Sequence, residues 1–236
     1  MLLSVSAAWA QAPDPGYRVF RPDRPGPRPA VLFLSGCDGL APSFAPKLYE
    51  RRAERLRAGG HVVVFVDYLG RHGVKTCAGA ISHEQAARDL LAAARWLRPQ
   101  PAIDGTRIAA MGWSWGGRAV LVALTELPEA SALISRAVTF YPDCRAVRPW
   151  TSPRPLLMLL GGADDMTQPG WCRDLAVKAP ASTVKVIVYP GAPHGFDVPE
   201  LSEKTRVGFG TLGYDKQAAD AAWQEAERFL GNPQGG

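Results

Sequence analysis

The sequence predicts an α/β domain built on a mostly parallel, doubly wound sheet. Three observations carry that reading. Strand-like and helix-like patterns alternate from residue 30 to the end. The strand candidates are continuous apolar runs, as suits strands covered by helices on both faces. The small polar residues able to carry chemistry follow strand ends, where open α/β sheets bind ligands.

The elements can be justified in order. Residues 30–35 (AVLFLS) form the first apolar run, stopped by Gly36. Residues 44–58 are helical in pattern, with Phe44, Leu48 and Leu56 on one side, Arg51, Arg52 and Arg55 on the other, and Gly59-Gly60 as the stop. Residues 61–67 (HVVVFVD) are a second strand, dense in β-branched residues, with His61 read as a solvated strand-edge residue. Residues 82–97 form a helix whose Ser82 and Gln85 make a capping-box pattern. Residues 107–112 are a third strand and 115–127 a helix. Residues 136–141 and 155–160 are the fourth and fifth strands, 171–178 a short helix, 184–189 the sixth strand, and 214–230 a closing amphipathic helix. Two segments, 68–81 and 199–212, are the longest insertions, too short for a large lid domain.

Composition narrows the class. The chain has 236 residues, 47% hydrophobic and 21% charged, ordinary values for a globular protein. No apolar run reaches the roughly 20 residues that span a bilayer, so no membrane insertion is expected. The net charge of +5 comes from scattered Arg and Lys without interleaved aromatics, which argues against a nucleic-acid footprint. One domain, residues 30–231, follows a Pro-rich N-terminal segment at 11–29. Residues 1–10 resemble a truncated signal peptide ending in Ala8-Trp9-Ala10, an A-x-A cleavage pattern, with a frayed apolar terminus as the alternative. A periplasmic or secreted protein is expected, a cytoplasmic one being the alternative.

Four cysteines, Cys37, Cys77, Cys144 and Cys172, form no CxxC pair and stand at no zinc-like spacing from a histidine. No metal is expected, and the even count suits two disulfides in an oxidising compartment.

The chemistry gathers after the third, fifth and sixth strands. Residues 112–117 read Gly-Trp-Ser-Trp-Gly-Gly, a G-x-S-x-G pattern at a strand-to-helix turn, which projects Ser114 above the sheet. Gly161-Gly162-Ala163-Asp164-Asp165 follows the fifth strand, and Gly191-Ala192-Pro193-His194-Gly195-Phe196 the sixth. The order Ser, Asp, His at successive strand ends is that of an α/β-hydrolase triad. A neutral serine needs a base in contact, and the base needs an orienting carboxylate. Ser114 is thus the candidate nucleophile and His194 the base. Asp164 is favoured over Asp165 as the acid, while His72 and His83 are read as pocket-lining or solvent-facing. The amide of Trp115 and an amide in the loop 35–40, assigned to Cys37, are the candidate oxyanion donors. Trp113, Trp115, Trp150 and Trp171 lie near strand ends, where they pack the core or wall a pocket.

These residues resemble the dienelactone hydrolase family of α/β hydrolases. The resemblance covers residues 30–230 and rests on GWSWGG (112–117), GGADD (161–165), YPGAPHGFD (189–197) and a closing GYD before the last helix. It implies a triad of Ser114, Asp164 and His194 with oxyanion amides at Cys37 and Trp115. The family's dienelactone hydrolases proper use a cysteine nucleophile and a glutamate beside it, where this chain has Ser114 and Gly36, which points to a serine esterase on the same frame. Arg71 falls near the position at which that family holds a substrate carboxylate. On this frame bridges Cys37–Cys77 and Cys144–Cys172 are expected.

The expected activity is hydrolysis of a small soluble carboxylic ester or lactone through an acyl-enzyme on Ser114. It needs no cofactor, its partner is a small-molecule ester or lactone, and a monomer is favoured. The rival readings are a prolyl-oligopeptidase-like serine peptidase and a non-catalytic, hydrolase-like binding protein. A haloalkane hydrolase would want Asp where Ser114 stands.

Overall fold

The continuous apolar runs become the inner strands of one sheet. In the computed structural model, residues 17–40, 45–79, 81–181, 183–208 and 210–231 are described. The strands are β1 Arg18–Phe20, β2 Arg28–Leu34, β3 Val62–Phe65, β4 Ile103–Trp113, β5 Arg136–Phe140, β6 Leu156–Gly161, β7 Val184–Tyr189, β8 Thr205–Val207 and β9 Gly210–Leu212. The helices are α1 Pro46–Ala58, α2 His83–Leu97, α3 Ser114–Glu126, α4 Ala130–Leu133, α5 Pro169–Val177 and α6 Lys216–Leu230. Seven strands pair in the order β1-β3-β2-β4-β5-β6-β7. All pairs are parallel except β1 with β3.

Both faces of the sheet are covered, so strand residues alternate between two cores. Val31, Phe33, Val63 and Phe65 pack toward α1 and α6. Ala30, Leu32, Leu34, Val62 and Val64 pack toward α2, α3 and α5. The Ser82 side chain accepts from the Gln85 amide, and the Gln85 side chain accepts from the Ser82 amide, so the capping box is formed.

The differences from the expected elements have physical reasons. The edge strand β1 is three residues long, too short to show a period, and lies in the stretch read as a Pro-rich segment. β4 begins four residues earlier than its apolar run, because Ile103 pairs with Arg28 across an irregularity in the ladder. His61, expected at a solvated edge, is 4% exposed. The segment 199–212 forms a short 3-10 turn at Pro199–Leu201 and the antiparallel hairpin β8–β9. Both expected disulfides are present, with Cα–Cα distances of 4.8 Å for Cys37–Cys77 and 5.1 Å for Cys144–Cys172. Residues 1–10, read as a signal peptide, lie outside the described residues, as does Phe44. Among the described residues no helix is long and apolar enough to cross a membrane.

Candidate active site

The turn after β4 sets the site. Gly112 lies so close to the start of α3 that a Cβ there would meet the Gly116 carbonyl oxygen at 2.6 Å. Gly116 in turn lies against the Ser35 carbonyl at the end of β2. Chain and helix can cross this tightly only with hydrogen in both places. The same tightness forces Ser114 to a φ of 48°, a left-handed backbone that costs on the order of 1 kcal/mol for a non-glycine residue. The Ser114 side chain is thereby aimed into a cavity of about 310 Å³.

His194 reaches the same point from the loop after β7. Its Nε2 is 2.9 Å from Ser114 Oγ, and its Nδ1 is 2.7 Å from Asp164 Oδ2. The Gly213 amide donates to the His194 carbonyl at 3.1 Å, tying the loop to the end of β9. Asp164 and His194 are each 4% exposed. Asp164 Oδ1 also accepts the amides of Met166 (2.9 Å) and Thr167 (2.8 Å), and Oδ2 accepts the Thr167 hydroxyl at 2.8 Å. Burial pushes the Asp164 carboxyl up, but His194 and the Thr167 donors outweigh it and hold it below the usual range. The acid is therefore ionised at neutral pH. Its charge places the imidazole proton on Nδ1 and leaves Nε2 to accept from Ser114. Asp165 points elsewhere: it accepts the Thr211 amide at 2.7 Å and fastens the loop to β9.

The loop after β2 is pinned from three sides. The Gly36 amide donates to Tyr49 Oη at 2.8 Å, and the Tyr68 hydroxyl donates to the Gly36 carbonyl at 2.7 Å. Cys37 is bridged to Cys77, and the Cys77 amide donates to the Cys37 carbonyl at 2.8 Å. Gly36 and Cys37 both line the cavity beside Ser114. Trp115 is in the first turn of α3, where amides lack intrahelical acceptors and the dipole favours negative charge. The Trp115 ring stays out of the cavity, stacked between Tyr68 at 5.0 Å and His83 at 4.2 Å. Burial, followed by the Arg118 charge, lowers the His83 pKa to about 4, so this imidazole is neutral.

The structure thus brings Ser114, Asp164 and His194 together and sets Cys37 and Trp115 beside them. It does not bring Arg71. That side chain lies 3.5 Å from Asp89 and over the Tyr17 ring, outside the cavity lining. His72 pairs with the same Asp89 at 2.9 Å. Three participants were not legible in the sequence. Thr167 has just been described. Tyr141, at a φ of 38°, sets its ring edge against His194 with centroids 4.7 Å apart. Asp197 is fully buried, and accepts the Tyr141 hydroxyl at 2.6 Å and the Trp113 indole N–H at 3.1 Å. Burial raises the Asp197 carboxyl, against the opposing pull of Arg52, Tyr141 and Trp113. The only signal for it was its place in the GFD end of the histidine motif.

The rest of the cavity wall is mostly apolar, with Met166, Val198, Leu201, Val207 and Leu212 beside the polar Asp38 and Thr76. Much of it is therefore the 199–212 segment, folded inward. Among the described residues no group of three or more His, Cys, Asp and Glu is placed to hold a metal ion.

Known proteins agree with this architecture. An uncharacterized protein of Mycobacterium tuberculosis is 30% identical over 195 residues, which cover 75% of this chain and 66% of that protein. Esterase 2 of Thermogutta terrifontis in its apo form superposes with a TM-score of 0.68 at 21% identity, covering 91% of this chain and 88% of that one. The dienelactone hydrolase-like promiscuous phosphotriesterase P91, from metagenomic libraries, superposes with a TM-score of 0.68 at 22% identity, covering 88% and 87% of the two chains. At that identity these likenesses speak to the fold. The sequence profile of the dienelactone hydrolase family matches residues 16–233, nearly all of the described chain, and the protein belongs to that hydrolase family, with serine at the position after Trp113.

Proposed function

We propose that this chain is a serine esterase acting on small carboxylic esters or lactones through an acyl-enzyme on Ser114. The observation that carries the reading is the unbroken line Ser114–His194–Asp164, at 2.9 and 2.7 Å, opening on a largely apolar cavity. His194 Nε2 takes the hydroxyl proton as Ser114 Oγ attacks the carbonyl carbon. The amides of Cys37 and Trp115 receive the developing oxyanion, each worth about 10²–10³ in rate. His194 then protonates the leaving alkoxide, and next activates water to release the acid and restore Ser114. Asp164 orients the imidazole and stabilises its protonated form.

The cavity, about 310 Å³, sits at the small end of the ~300–1,000 Å³ usual for ligand sites. A compact acyl and alcohol part suit it better than a peptide. The esterase and phosphotriesterase named above belong to other proteins of the same fold, and their chemistry is compatible with an activated serine. The two disulfides favour an oxidising compartment, in line with export.

The test is hydrolysis of 4-nitrophenyl acetate and butyrate by the wild type beside Ser114→Ala. We expect turnover in the wild type and a loss of about 10⁴-fold or more in the variant. A folded wild type that neither turns over these esters nor reacts with a fluorophosphonate at Ser114 would overturn the reading.

A further inference from the structure

Among the described residues the wall of the cavity holds a single carboxylate, Asp38, and no Lys or Arg. No basic side chain outside the described residues can supply one. Residues 1–16, 41–44, 80, 182, 209 and 232–236 contain neither Lys nor Arg. Two cations are neighbours in sequence of lining residues: Lys75 precedes Thr76, and Arg206 precedes Val207. Both are exposed, and Arg206 lies 3.5 Å from Asp165. Arg71 is engaged by Asp89 and Tyr17.

Asp38 is close to the reacting centre. A Cβ built on Gly36 would meet Asp38 Oδ1 at 3.6 Å and Ser114 Cβ at 3.9 Å, so the carboxylate and Ser114 flank one glycine. Its backbone is fixed by the neighbouring Cys37–Cys77 bridge and by the two tyrosines on Gly36. Its field acts on two tyrosines of the cavity wall, where it adds to burial in raising the Tyr49 and Tyr141 hydroxyls. A fixed charge in a small, apolar, partly desolvated site acts strongly on any charge a ligand brings.

We propose that Asp38 sets the charge preference of this enzyme: the site favours esters that carry a cationic group, accepts neutral ones, and disfavours esters that carry a carboxylate. The attraction acts in the ground state and again in the transition state. There a ligand cation offsets the proximity of the Asp38 carboxylate to the oxyanion forming on the substrate. The proposal rests on the serine-esterase reading above.

The test uses matched substrates. Acetylthiocholine is compared with its neutral carbon isostere, 3,3-dimethylbutyl thioacetate, and mono-4-nitrophenyl succinate with 4-nitrophenyl butyrate. In the wild type we expect kcat/KM to favour the cation over its isostere by roughly fivefold, and the neutral ester over the anion by a similar factor. Asp38→Asn should bring both ratios toward unity, and ~0.5 M salt should do so in part in the wild type. Asp38→Ser, checked by circular dichroism, guards against an Asn-specific disturbance of the loop. Ratios unchanged in both folded variants overturn the proposal. Should the wild type hydrolyse no ester at all, the esterase reading fails, and calorimetry on Ser114→Ala decides the charge preference separately. Tighter binding of acetylthiocholine than of its isostere, lost on adding Asp38→Asn, sustains it; equal binding overturns it.

Discussion

The Tyr141 hydroxyl donates to Asp197 Oδ1 at 2.6 Å in the fully buried layer beneath the site. The other oxygen of that carboxylate holds the indole of Trp113, the residue before Ser114, while the Tyr141 ring abuts His194. One buried acid therefore aligns a neighbour of each partner in the Ser114–His194 pair. Asp197→Asn keeps the shape but sets an amide N–H₂ against a donor. We expect a loss of about 2–4 kcal/mol in stability by urea unfolding. We also expect a fall in kcat larger than any change in KM. Wild-type values of both would show that the acid aligns nothing.

Thr167 offers a finer probe of the acid loop. Its hydroxyl bonds Asp164 Oδ2 at 2.8 Å and lies 3.3 Å from His194 Nδ1. Thr167→Val removes that donor and leaves the two amides on Oδ1. A drop of about fivefold in kcat is expected, with the acidic limb of the kcat/KM profile displaced. A variant with an unmoved pH profile would mean that the hydroxyl serves only local packing.

The two disulfides should respond differently to a dithiol reductant. Cys37 and Cys77 are half-buried, whereas Cys144 and Cys172 are 5% and 0% exposed. Gentle reduction is expected to open Cys37–Cys77 first, lowering kcat by about tenfold by loosening the loop that carries the proposed oxyanion amide. Alkylation and mass mapping read the order of opening. The Cys144–Cys172 bridge closes 28 residues of separation. Its removal by Cys144→Ala with Cys172→Ala should cost about 3–4 kcal/mol and leave KM in place.

Acid should unfold this protein by two distinct titrations. Burial depresses both His61 and His83 from 6.5 to about 4 in the fold. The unfolded chain then binds more protons between those values, so stability is complete above pH 6.5 and declines toward pH 4. His61 contributes on the order of 3 kcal/mol to the decline and the half-buried His83 a smaller share. Asp164, held below its usual range, contributes stability that is present above its unfolded pKa and lost only at still lower pH. His61→Leu should make the first limb of a pH-dependent urea series shallower, leaving the His83 share, and spare the second; an unaltered first limb would contradict this assignment.

Much of the fold was legible because its strands are buried twice. The run at Val184–Tyr189 is predicted and observed with the same bounds, and the Ser82–Gln85 box marked the start of α2. Ser114, Asp164 and His194 stood out because each follows a strand end. What stayed hidden was long-range or short. β1 is defined by pairing across the sheet rather than by a local pattern. Asp197 meets Trp113 across 84 positions of chain, and its carboxylate reads in sequence like any loop acid. Arg71 went the other way: its sequence position suggested a ligand contact, but Asp89 and Tyr17 on the facing elements claim it.

The left-handed backbone at Ser114 sets evolvability against endurance at one position. Glycine would adopt that φ without penalty, so Ser114→Gly should gain up to about 1 kcal/mol, offset in part by glycine's greater freedom when unfolded. On the proposed esterase reading chemistry is what retains the strain, since folding alone gives no reason to keep it. A library of this protein screened for heat resistance without an activity check would drift toward relieving it, and the hardiest survivors would include inert ones.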